Sequence, residues 1–336
     1  MSLADKAENL VNGKTPLVCV TIHDLLSREL PEIDPLLAPW LGKQSLSMIY
    51  AWRGLGKTHF ALNLSYAVAS GGDFLGWQAP EPNGVLYLDG EMPGRSMQQR
   101  LAAIVEASPK ECDPHLFRIV SPDLQSGFMP DLARTEGQER VNDLIDDTTR
   151  LIVVDNLSSL ARSGGRENES ESWISIGEWA MFQRSRGRAI VFVHHSGKDG
   201  RQRGTSKRED ILDSVIRLSR PSDYDPSQGA RFNVDFEKDR HNTAGHPFEA
   251  MLQSDSHGRQ SWTTKPLEST RLDQIIELAL LGLNISDIAT EIGVNKSTVS
   301  RTLKRAEEQG LYRPKKRGSK NNVIDFKARR RSDVDD

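Results

Sequence analysis

Long apolar runs are missing from this sequence of 336 residues, and cysteine is scarce. No stretch approaches the roughly 18 apolar residues that a membrane span needs, and residues 1–14 lack the apolar centre of an export signal. The two cysteines, Cys19 and Cys112, have no neighbour at metal-binding or redox spacing. We therefore expect a cytoplasmic protein that has no membrane contact, disulfide framework or zinc site.

Net charge is also small, at −3, and the hydrophobic share of 37% is below that of most compact domains. The length suits one large α/β domain and a small accessory domain. Lysine and arginine are concentrated in 313–331, before an acidic end at 332–336. This stretch either contacts nucleic-acid phosphates or is a solvated, disordered terminus.

Short apolar runs alternate with helical patterns, which predicts an α/β fold with a mostly parallel sheet. The predicted strands are 46–51, 85–89, 117–120, 151–155, 189–194, 214–218 and 232–236. The predicted helices are 57–70, 96–107, 136–149 and 173–186. Two polar stretches, 162–172 and 197–208, are predicted to be mobile loops.

Composition and pattern divide the chain into five segments. They are an N-terminal segment 1–35, an α/β domain 36–253, a polar linker 254–266, a helical domain 267–313 and a basic disordered tail 314–336.

A glycine-rich segment, Ala51-Trp-Arg-Gly-Leu-Gly-Lys-Thr58, joins a predicted strand to a predicted helix. This context and the Lys-Thr ending are typical of a P-loop, although Ala51 stands where the first glycine is usual. In such a loop, backbone amides hold phosphates, Lys57 neutralises the β and γ oxygens, and Thr58 binds magnesium. The alternative is an ordinary glycine-rich turn before a helix. We expect ATP and Mg²⁺ as ligands, with nucleotide contacts from Ala51, Arg53, Gly54, Leu55, Gly56, Lys57, Thr58 and His59.

Two predicted strands end in carboxylates. Asp155 follows an apolar strand, which favours a place near the magnesium, although strand-end aspartates also cap helices and form turns. Asp89 and Glu91 follow another strand, and either carboxylate suits polarisation of an attacking water. We favour Glu91 as the catalytic base; the alternative is that both residues cap the helix predicted to begin near Ser96.

Together, these motifs resemble the RecA-like superfamily and, within it, plasmid RepA-type and DnaB-type hexameric helicases, over roughly 36–250. The resemblance implies a RecA-like core, a homo-oligomer with a hexamer among its forms, and Glu91 as the catalytic glutamate. It also implies that His194 and His195 act as a sensor of nucleotide. The alternative is that these histidines are ordinary core residues.

Lys238-Asp-Arg240 looks like the Lys-x-Arg strand end by which DnaB-type helicases send cations into a neighbouring subunit's nucleotide site. The resemblance makes Lys238 and Arg240 fingers that act in trans, and the alternative is a solvated charge cluster at a hairpin. The segment around Gly204 resembles the loop that lines the central channel or approaches the nucleotide in this superfamily.

The segment 285–303 closely resembles bacterial helix-turn-helix modules within an all-α domain of three helices. Asn295 is predicted to cap the third helix. The predicted DNA contacts are Lys296, Ser297, Thr298, Ser300, Arg301 and Lys304. The alternative is a helical bundle that contacts protein.

These features favour ATP hydrolysis coupled to DNA binding or remodelling, by a ring-forming helicase or a replication-initiation ATPase of a plasmid or mobile element. The alternative is a regulator that binds DNA under the control of ATP and has no motor activity. Recombination is a third interpretation.

Overall fold

The computed structural model describes residues 17–30, 33–162, 169–196, 210–241, 243, 245–256 and 258–313. The chain divides into two compact units, Met1–Asp34 and Pro35–Asp336. Helix α1 (Ile22–Leu26) belongs to the first unit, and none of its residues is buried. Thr21 opens it with a capping box, in which its hydroxyl accepts a hydrogen bond from the Asp24 amide. None of the described helices has the length and apolar character to cross a bilayer.

The second unit is built on a sheet of nine strands. Within the described residues, the strands are β1 (Pro35–Leu37), β2 (Leu41–Gly42), β3 (Leu46–Ala51), β4 (Asp73–Phe74), β5 (Trp77–Gln78), β6 (Gly84–Asp89), β7 (Phe117–Val120), β8 (Thr149–Asp155), β9 (Ala189–His195), β10 (Ser214–Ser219), β11 (Arg231–Asp239), β12 (Phe248–Ser254) and β13 (Gln260–Pro266). The order in the large sheet is β13-β12-β11-β10-β3-β9-β8-β6-β7. Strands β10 to β7 of this order are parallel, and β11, β12 and β13 extend the sheet in antiparallel fashion. The predicted mostly parallel α/β architecture is therefore confirmed.

Helices cover both faces of this sheet. The described helices of the second unit are α2 (Lys57–Ser70), α3 (Gly94–Ala107), α4 (Thr135–Asn142), α5 (Leu157–Leu160), α6 (Glu169–Ser185), α7 (Leu267–Leu280), α8 (Ile285–Ile292) and α9 (Lys296–Glu308). Helices α2 and α3 pack on one face, and α4, α5 and α6 on the other. Side chains alternate along β3, so Ile49 joins the first core while Met48 and Tyr50 join the second. Such a strand is buried on both sides, which explains its continuous apolar sequence.

Strand β3 lies at the centre of the parallel region, between β10 and β9. Its last residue, Ala51, is in register with His195 of β9 and with Leu218 of β10. Strand β8, which ends at Asp155, lies beyond β9. One strand therefore separates the P-loop strand from the carboxylate strand. Because the parallel strands end at one edge, their carboxyl ends still meet beside the P-loop.

The segment 254–266 is not the linker that the sequence predicts, because Gln260–Pro266 is the outermost strand of the sheet. It pairs along its length with β12, and Trp262 packs edge-on against Phe74 at 5.6 Å between ring centroids. Helix α7 begins directly after this strand, at Leu267.

Two other local predictions are corrected. The helix predicted over 136–149 ends at Asn142, and Thr149 already begins β8. Of the predicted mobile loop 162–172, residues 163–168 lie outside the described residues, and Glu169 starts α6. The loop predicted around Gly204 and the basic tail 314–336 also lie outside the described residues.

The three C-terminal helices enclose a small core of Ile275, Ile288, Ala289 and Val299. Gly293 ends α8 in the left-handed conformation, with φ of 72°, and so forms the predicted turn before α9.

Candidate nucleotide-binding site

The segment between β3 and α2 has the backbone of a phosphate-binding loop. Gly54 and Gly56 have φ of 74° and 103°, a region that glycine adopts without strain. Gly56 also precedes the N-terminus of α2, where free amides and the helix dipole favour an anion. A side chain at Gly56 would lie 3.1 Å from Cβ of Ala230, so the position also requires glycine for space.

Ala51 fits this loop despite replacing the usual first glycine. It is the buried last residue of β3 and has an extended conformation, so no left-handed turn is required there. The left-handed residues of this loop are Gly54 and Gly56. Of the other predicted contacts, Arg53 is exposed, whereas the Leu55 side chain is buried in the core and leaves only its backbone for a ligand.

The Lys57 side chain folds back and hydrogen-bonds to the start of the loop. Its ammonium group donates hydrogen bonds to the carbonyls of Ala51 and Trp52, each at 3.1 Å. Burial lowers the pKa of Lys57 from 10.5 to about 8, against the opposing effect of the Asp155 and Glu91 carboxylates. The side chain therefore remains mostly protonated at neutral pH, and its charge lies where phosphates would enter the loop.

Asp155 ends β8 beside the first turn of α2. Its Oδ2 accepts a hydrogen bond from the Tyr87 hydroxyl at 2.7 Å, and the carboxylate also accepts one from Thr58. Burial raises the pKa of Asp155 to about 6, although both hydrogen bonds act to lower it. A hydroxyl and a carboxylate side by side are hard oxygen ligands of the kind that Mg²⁺ takes in phosphate sites, so Thr58 and Asp155 fit this ion.

Asp89 and Glu91 have different environments, although they are two residues apart. Asp89 is buried, and its Oδ1 accepts the amides of Glu91 at 3.3 Å and Met92 at 3.2 Å. The Glu91 side chain is 54% exposed and lines the cleft above the P-loop. Asp89 thus shapes the turn, while Glu91 is accessible to a water molecule.

The alternative in which Asp89 and Glu91 cap the next helix is wrong. Helix α3 begins at Gly94, its N-cap residue is Pro93, and the Gly94 amide donates to the Asp123 carboxylate at 2.7 Å.

His195 connects Glu91 with the end of β8. Its Nε2 lies 4.0 Å from Oε1 of Glu91 and 3.3 Å from the side-chain amide of Asn156. Asn156 is buried, and its Oδ1 accepts the amides of Ser158 and Ser159 at the start of α5, so its orientation is held. His194 is buried within β9 and does not line the cleft. The structure therefore brings only the second histidine of the predicted pair to the site.

These groups surround one open cleft of about 1100 Å³, the P-loop cleft. Its lining comprises Gly54, Gly56, Lys57, Thr58, His59, Glu91, Arg100, Asp155, Asn156, His195, Tyr224, Pro226, Ser227, Gln228, Gly229, Ala230, Met251, Leu252, Gln253, Ser254 and Gln260. Sequence reasoning missed Arg100, Asn156 and the whole wall from Tyr224 onward, because these residues belong to no local motif. Burial, and then the charge of Arg100, lower the pKa of His59 to about 4, so this histidine is neutral at pH 7.

Lys238 and Arg240 do not reach this cleft. They lie at the end of β11, which runs antiparallel to β10, at the edge of the sheet where β3 begins. Arg240 pairs with the buried Asp213 at 3.4 Å, and the other oxygen of Asp213 accepts the Leu46 amide at 2.9 Å. Five residue steps along β3 separate this edge from the P-loop, or about 17 Å. Both cations therefore lie away from the P-loop cleft of the same chain.

Five of the six predicted DNA contacts share one surface of α9, and Thr298 lies beside it. Lys296, Ser297, Ser300, Arg301 and Lys304 are exposed, and Thr298 is half-buried. Val299 and Ala306 hold the opposite side of the helix in the core. Asn295 occupies the N-cap position, but its side chain makes no capping hydrogen bond, in contrast to the prediction. The capping side chain in this domain is Asn284, which accepts two amides of α8.

The strand order, the left-handed glycines before α2 and the carboxylates around Lys57 define a RecA-like P-loop ATPase core. The family model described as an AAA domain matches residues 13–201, more than half of the chain, and the protein belongs to this family. A second model, described as a homeodomain-like domain, matches residues 265–315.

The solved structures that are similar to this chain include three of low sequence identity. A KaiC-like protein of the hyperthermophilic archaeon Pyrococcus horikoshii OT3 is 15% identical, covering 70% of this chain and 96% of its own, with a TM-score of 0.47. The RadB recombinase is 15% identical over 63% of this chain and 88% of its own, with a TM-score of 0.43. An ATPase domain is 12% identical, covering 62% of this chain and 82% of its own, with a TM-score of 0.44. No curated protein gives a significant match to the sequence.

Proposed function

We propose that this protein hydrolyses ATP and couples hydrolysis to binding or remodelling of DNA, as a ring-forming helicase or replication-initiation ATPase. The observation that carries the proposal is the cleft in which Lys57, Thr58, Glu91 and Asp155 meet, in the same chain as a homeodomain-like domain. The motif resemblance to plasmid RepA-type helicases favours a plasmid or another mobile element as its source.

In this proposal, each group of the cleft has a separate role. Lys57 leaves the carbonyls of Ala51 and Trp52 to pair with the β and γ oxygens of ATP. Thr58 and Asp155 would hold Mg²⁺, which would neutralise negative charge on the phosphates. Glu91 accepts the proton of the attacking water on its carboxylate.

His195 is proposed to transmit the state of Glu91 to β9. Its Nε2 lies within 4.0 Å of that carboxylate, and the next residue, Ser196, donates its amide to the Ala51 carbonyl at 2.9 Å. A change at Glu91 can therefore reach Ala51 at the end of the P-loop strand.

A role for Lys238 and Arg240 in hydrolysis requires a second copy of the chain. Both residues are at the sheet edge opposite their own P-loop, so a finger role is possible only in trans. This placement supports an oligomer in which one subunit's β11 end faces the next subunit's cleft. In such an oligomer, Arg240 leaves Asp213 and pairs with the phosphates of the nucleotide that the neighbouring subunit binds.

The alternative is an ATP-switched DNA-binding regulator without motor activity. The exposed face of α9, with Lys296, Arg301 and Lys304, favours it because such a face suits the reading of a duplex site. Under this alternative, nucleotide controls assembly, and turnover does not depend on single-stranded DNA.

The test measures ATP turnover with and without single-stranded DNA while oligomeric mass is recorded. We expect stimulation by single strands in an oligomer, loss of turnover in Lys57→Ala, and ATP binding with turnover reduced about 10²- to 10⁴-fold in Glu91→Gln. Wild-type turnover in Lys57→Ala would contradict the assignment of the cleft. Turnover that single strands leave unchanged, together with tight duplex binding, would favour the regulator.

A further inference from the structure

One wall of the P-loop cleft is formed by residues 220–230, which connect β10 to β11 and are called the wall loop here. Tyr224 and the run from Pro226 to Ala230 line the cleft. Ala230 and Phe232 approach the P-loop so closely that a Cβ at Gly56 would lie 3.1 Å and 3.3 Å from their side chains. The wall loop thus packs directly on the loop that holds the phosphates.

The wall loop lies on the opposite side of the P-loop strand from the groups of hydrolysis. Asp155 and His195 end β8 and β9, and Glu91 follows β6, so all three lie on one side of β3 in the sheet. The wall loop follows β10, on the other side of β3. A displacement of this wall therefore changes the space for the nucleotide without moving the carboxylates.

Arg231, the residue after the wall loop, ties it to β12. The Arg231 side chain is buried and forms a bidentate ion pair with Glu249 of β12, with Nε–Oε1 and Nη2–Oε2 distances of 3.0 Å. Nη2 also donates to Asp223 at 3.0 Å, and Nη1 donates to Gln228 at 3.0 Å. One guanidinium therefore holds both halves of the wall loop against the sheet.

Stability alone does not account for an arginine at this position. Burying an ion pair has a desolvation cost that often cancels its attraction, and a well-packed apolar side chain commonly serves as well. Arginine adds direction, because its planar fork fixes several acceptors at once. The acceptors here are Glu249 in the sheet and Asp223 and Gln228 in the wall loop.

We propose that Arg231 is a positioning residue for nucleotide binding, which holds the wall loop against Glu249 so that the loop bounds the P-loop cleft. Arg231 itself does not line the cleft and acts through Tyr224 and Pro226 to Ala230. The inference rests on the proposed binding of ATP in this cleft. It requires that loss of Arg231 weakens ATP binding while the hydrolytic step is preserved.

The experiment compares Arg231→Gln with Arg217→Gln in the full chain. Arg217 is a matched control because it also pairs with two carboxylates, Asp235 and Glu237 at 3.2 Å each, but these pairs join β10 to β11 and do not involve the wall loop. Folding of both variants is checked by circular dichroism and thermal unfolding. Steady-state ATP hydrolysis then gives KM and kcat for each.

We expect Arg231→Gln to raise the KM for ATP by about tenfold or more, as loss of a hydrogen bond to a charged group implies. Its kcat should stay within about twofold of wild type, because the groups of hydrolysis are undisturbed. Arg217→Gln should change neither quantity. Glu249→Gln, which leaves Arg231 paired with Asp223, should raise KM by a smaller factor and takes over the test if Arg231→Gln does not fold.

An unchanged KM in the folded Arg231→Gln variant would overturn the proposal. A decrease in kcat without a rise in KM would also overturn it. An equal rise of KM in Arg217→Gln would also overturn it, because the effect would then be general to the hairpin. Wild-type protein that binds and hydrolyses no ATP would refute the proposed function itself. Active wild type with an unchanged variant refutes only the role of Arg231.

Discussion

Replacing Asp155 with asparagine should stabilise the nucleotide-free protein at pH 8 and have little effect at pH 4. The Asp155 carboxylate is buried at the end of β8, and its pKa is raised from 3.8 to about 6. That difference corresponds to about 3 kcal/mol of unfavourable free energy for the ionised form in the folded protein. The charge remains because the proposed function requires a ligand for magnesium.

The sign follows from linkage between proton binding and folding. Because the folded-state pKa is above the unfolded-state value, the native state holds the proton more tightly, and stability falls as the pH rises from below 3.8 to above 6. Asparagine at position 155 removes this dependence. The free energy of unfolding of Asp155→Asn relative to wild type should therefore increase by about 2.5 kcal/mol between pH 4 and pH 8.

The net effect at pH 8 is smaller than this difference. The amide of asparagine replaces one carboxylate oxygen by an NH2 donor and removes the charge, so the hydrogen bonds accepted from Tyr87 and Thr58 weaken at a cost of about 1 kcal/mol. We expect net stabilisation of about 1 to 2 kcal/mol at pH 8, measured by urea unfolding followed by circular dichroism. Magnesium-dependent turnover should be lost in the same variant.

Asp146→Asn is a control of opposite sign. Burial acts to raise the pKa of Asp146, but hydrogen bonds from Thr148 and Thr149, together with Arg118, lower it to about 2. Its contribution to stability is present above the unfolded-state pKa and is lost as the pH falls through the folded-state value. Because this window lies between about pH 2 and pH 3.8, Asp146→Asn should destabilise the protein by nearly the same amount at pH 4 and at pH 8. Equal free-energy differences at the two pH values for Asp155→Asn would refute the reasoning about its burial.

Three further outcomes are expected. The kcat/KM for ATP should rise with pH through about 6, as Asp155 ionises, and fall through about 8, as Lys57 loses its proton. A flat profile between pH 5 and 9 would contradict both assignments. Arg240→Ala should be inactive alone and regain partial turnover when mixed with Lys57→Ala, since a mixed interface can join an intact finger to an intact P-loop; full activity of Arg240→Ala as a monomer would exclude a finger. Deletion of 267–336, which leaves β13 intact, should reduce duplex-DNA affinity far more than basal ATP hydrolysis. Unchanged DNA binding in an electrophoretic assay would favour a protein-contact role for the helical domain.

Local patterns predicted several elements of the core well. The strand over 46–51 and the helix over 57–70 match β3 and α2 at both ends. A strand buried on both faces has a continuous apolar sequence, and glycine followed by Lys-Thr marks a helix start. The prediction of a helix that continues to Thr149 was wrong because a turn at Asp146 intervenes. The Asp146 carboxylate accepts hydrogen bonds from the amides of Thr148 and Thr149 in this turn.

The outer strands were missed because distant residues stabilise them. Strand β13 is mostly polar and exposed, and its half-buried Trp262 packs on Phe74 and Phe232. Contacts between residues so far apart in the chain leave no periodic signal within the strand itself. Of the antiparallel extension, the sequence therefore predicted only 232–236 within β11, and it missed β12, β13 and the wall of the cleft.

The sequence by itself determined the phosphate-binding loop, because a P-loop is made of consecutive residues whose backbone and spacing carry its chemistry. It likewise determined the helix-turn-helix pattern of 285–303. Only the tertiary structure decided which of two nearby carboxylates, Asp89 or Glu91, opens into the cleft, since burial separates them. It also decided that Arg240 lies at the far edge of the sheet and that Arg231 holds the wall loop, because strand order and pairing place side chains that the sequence leaves far apart.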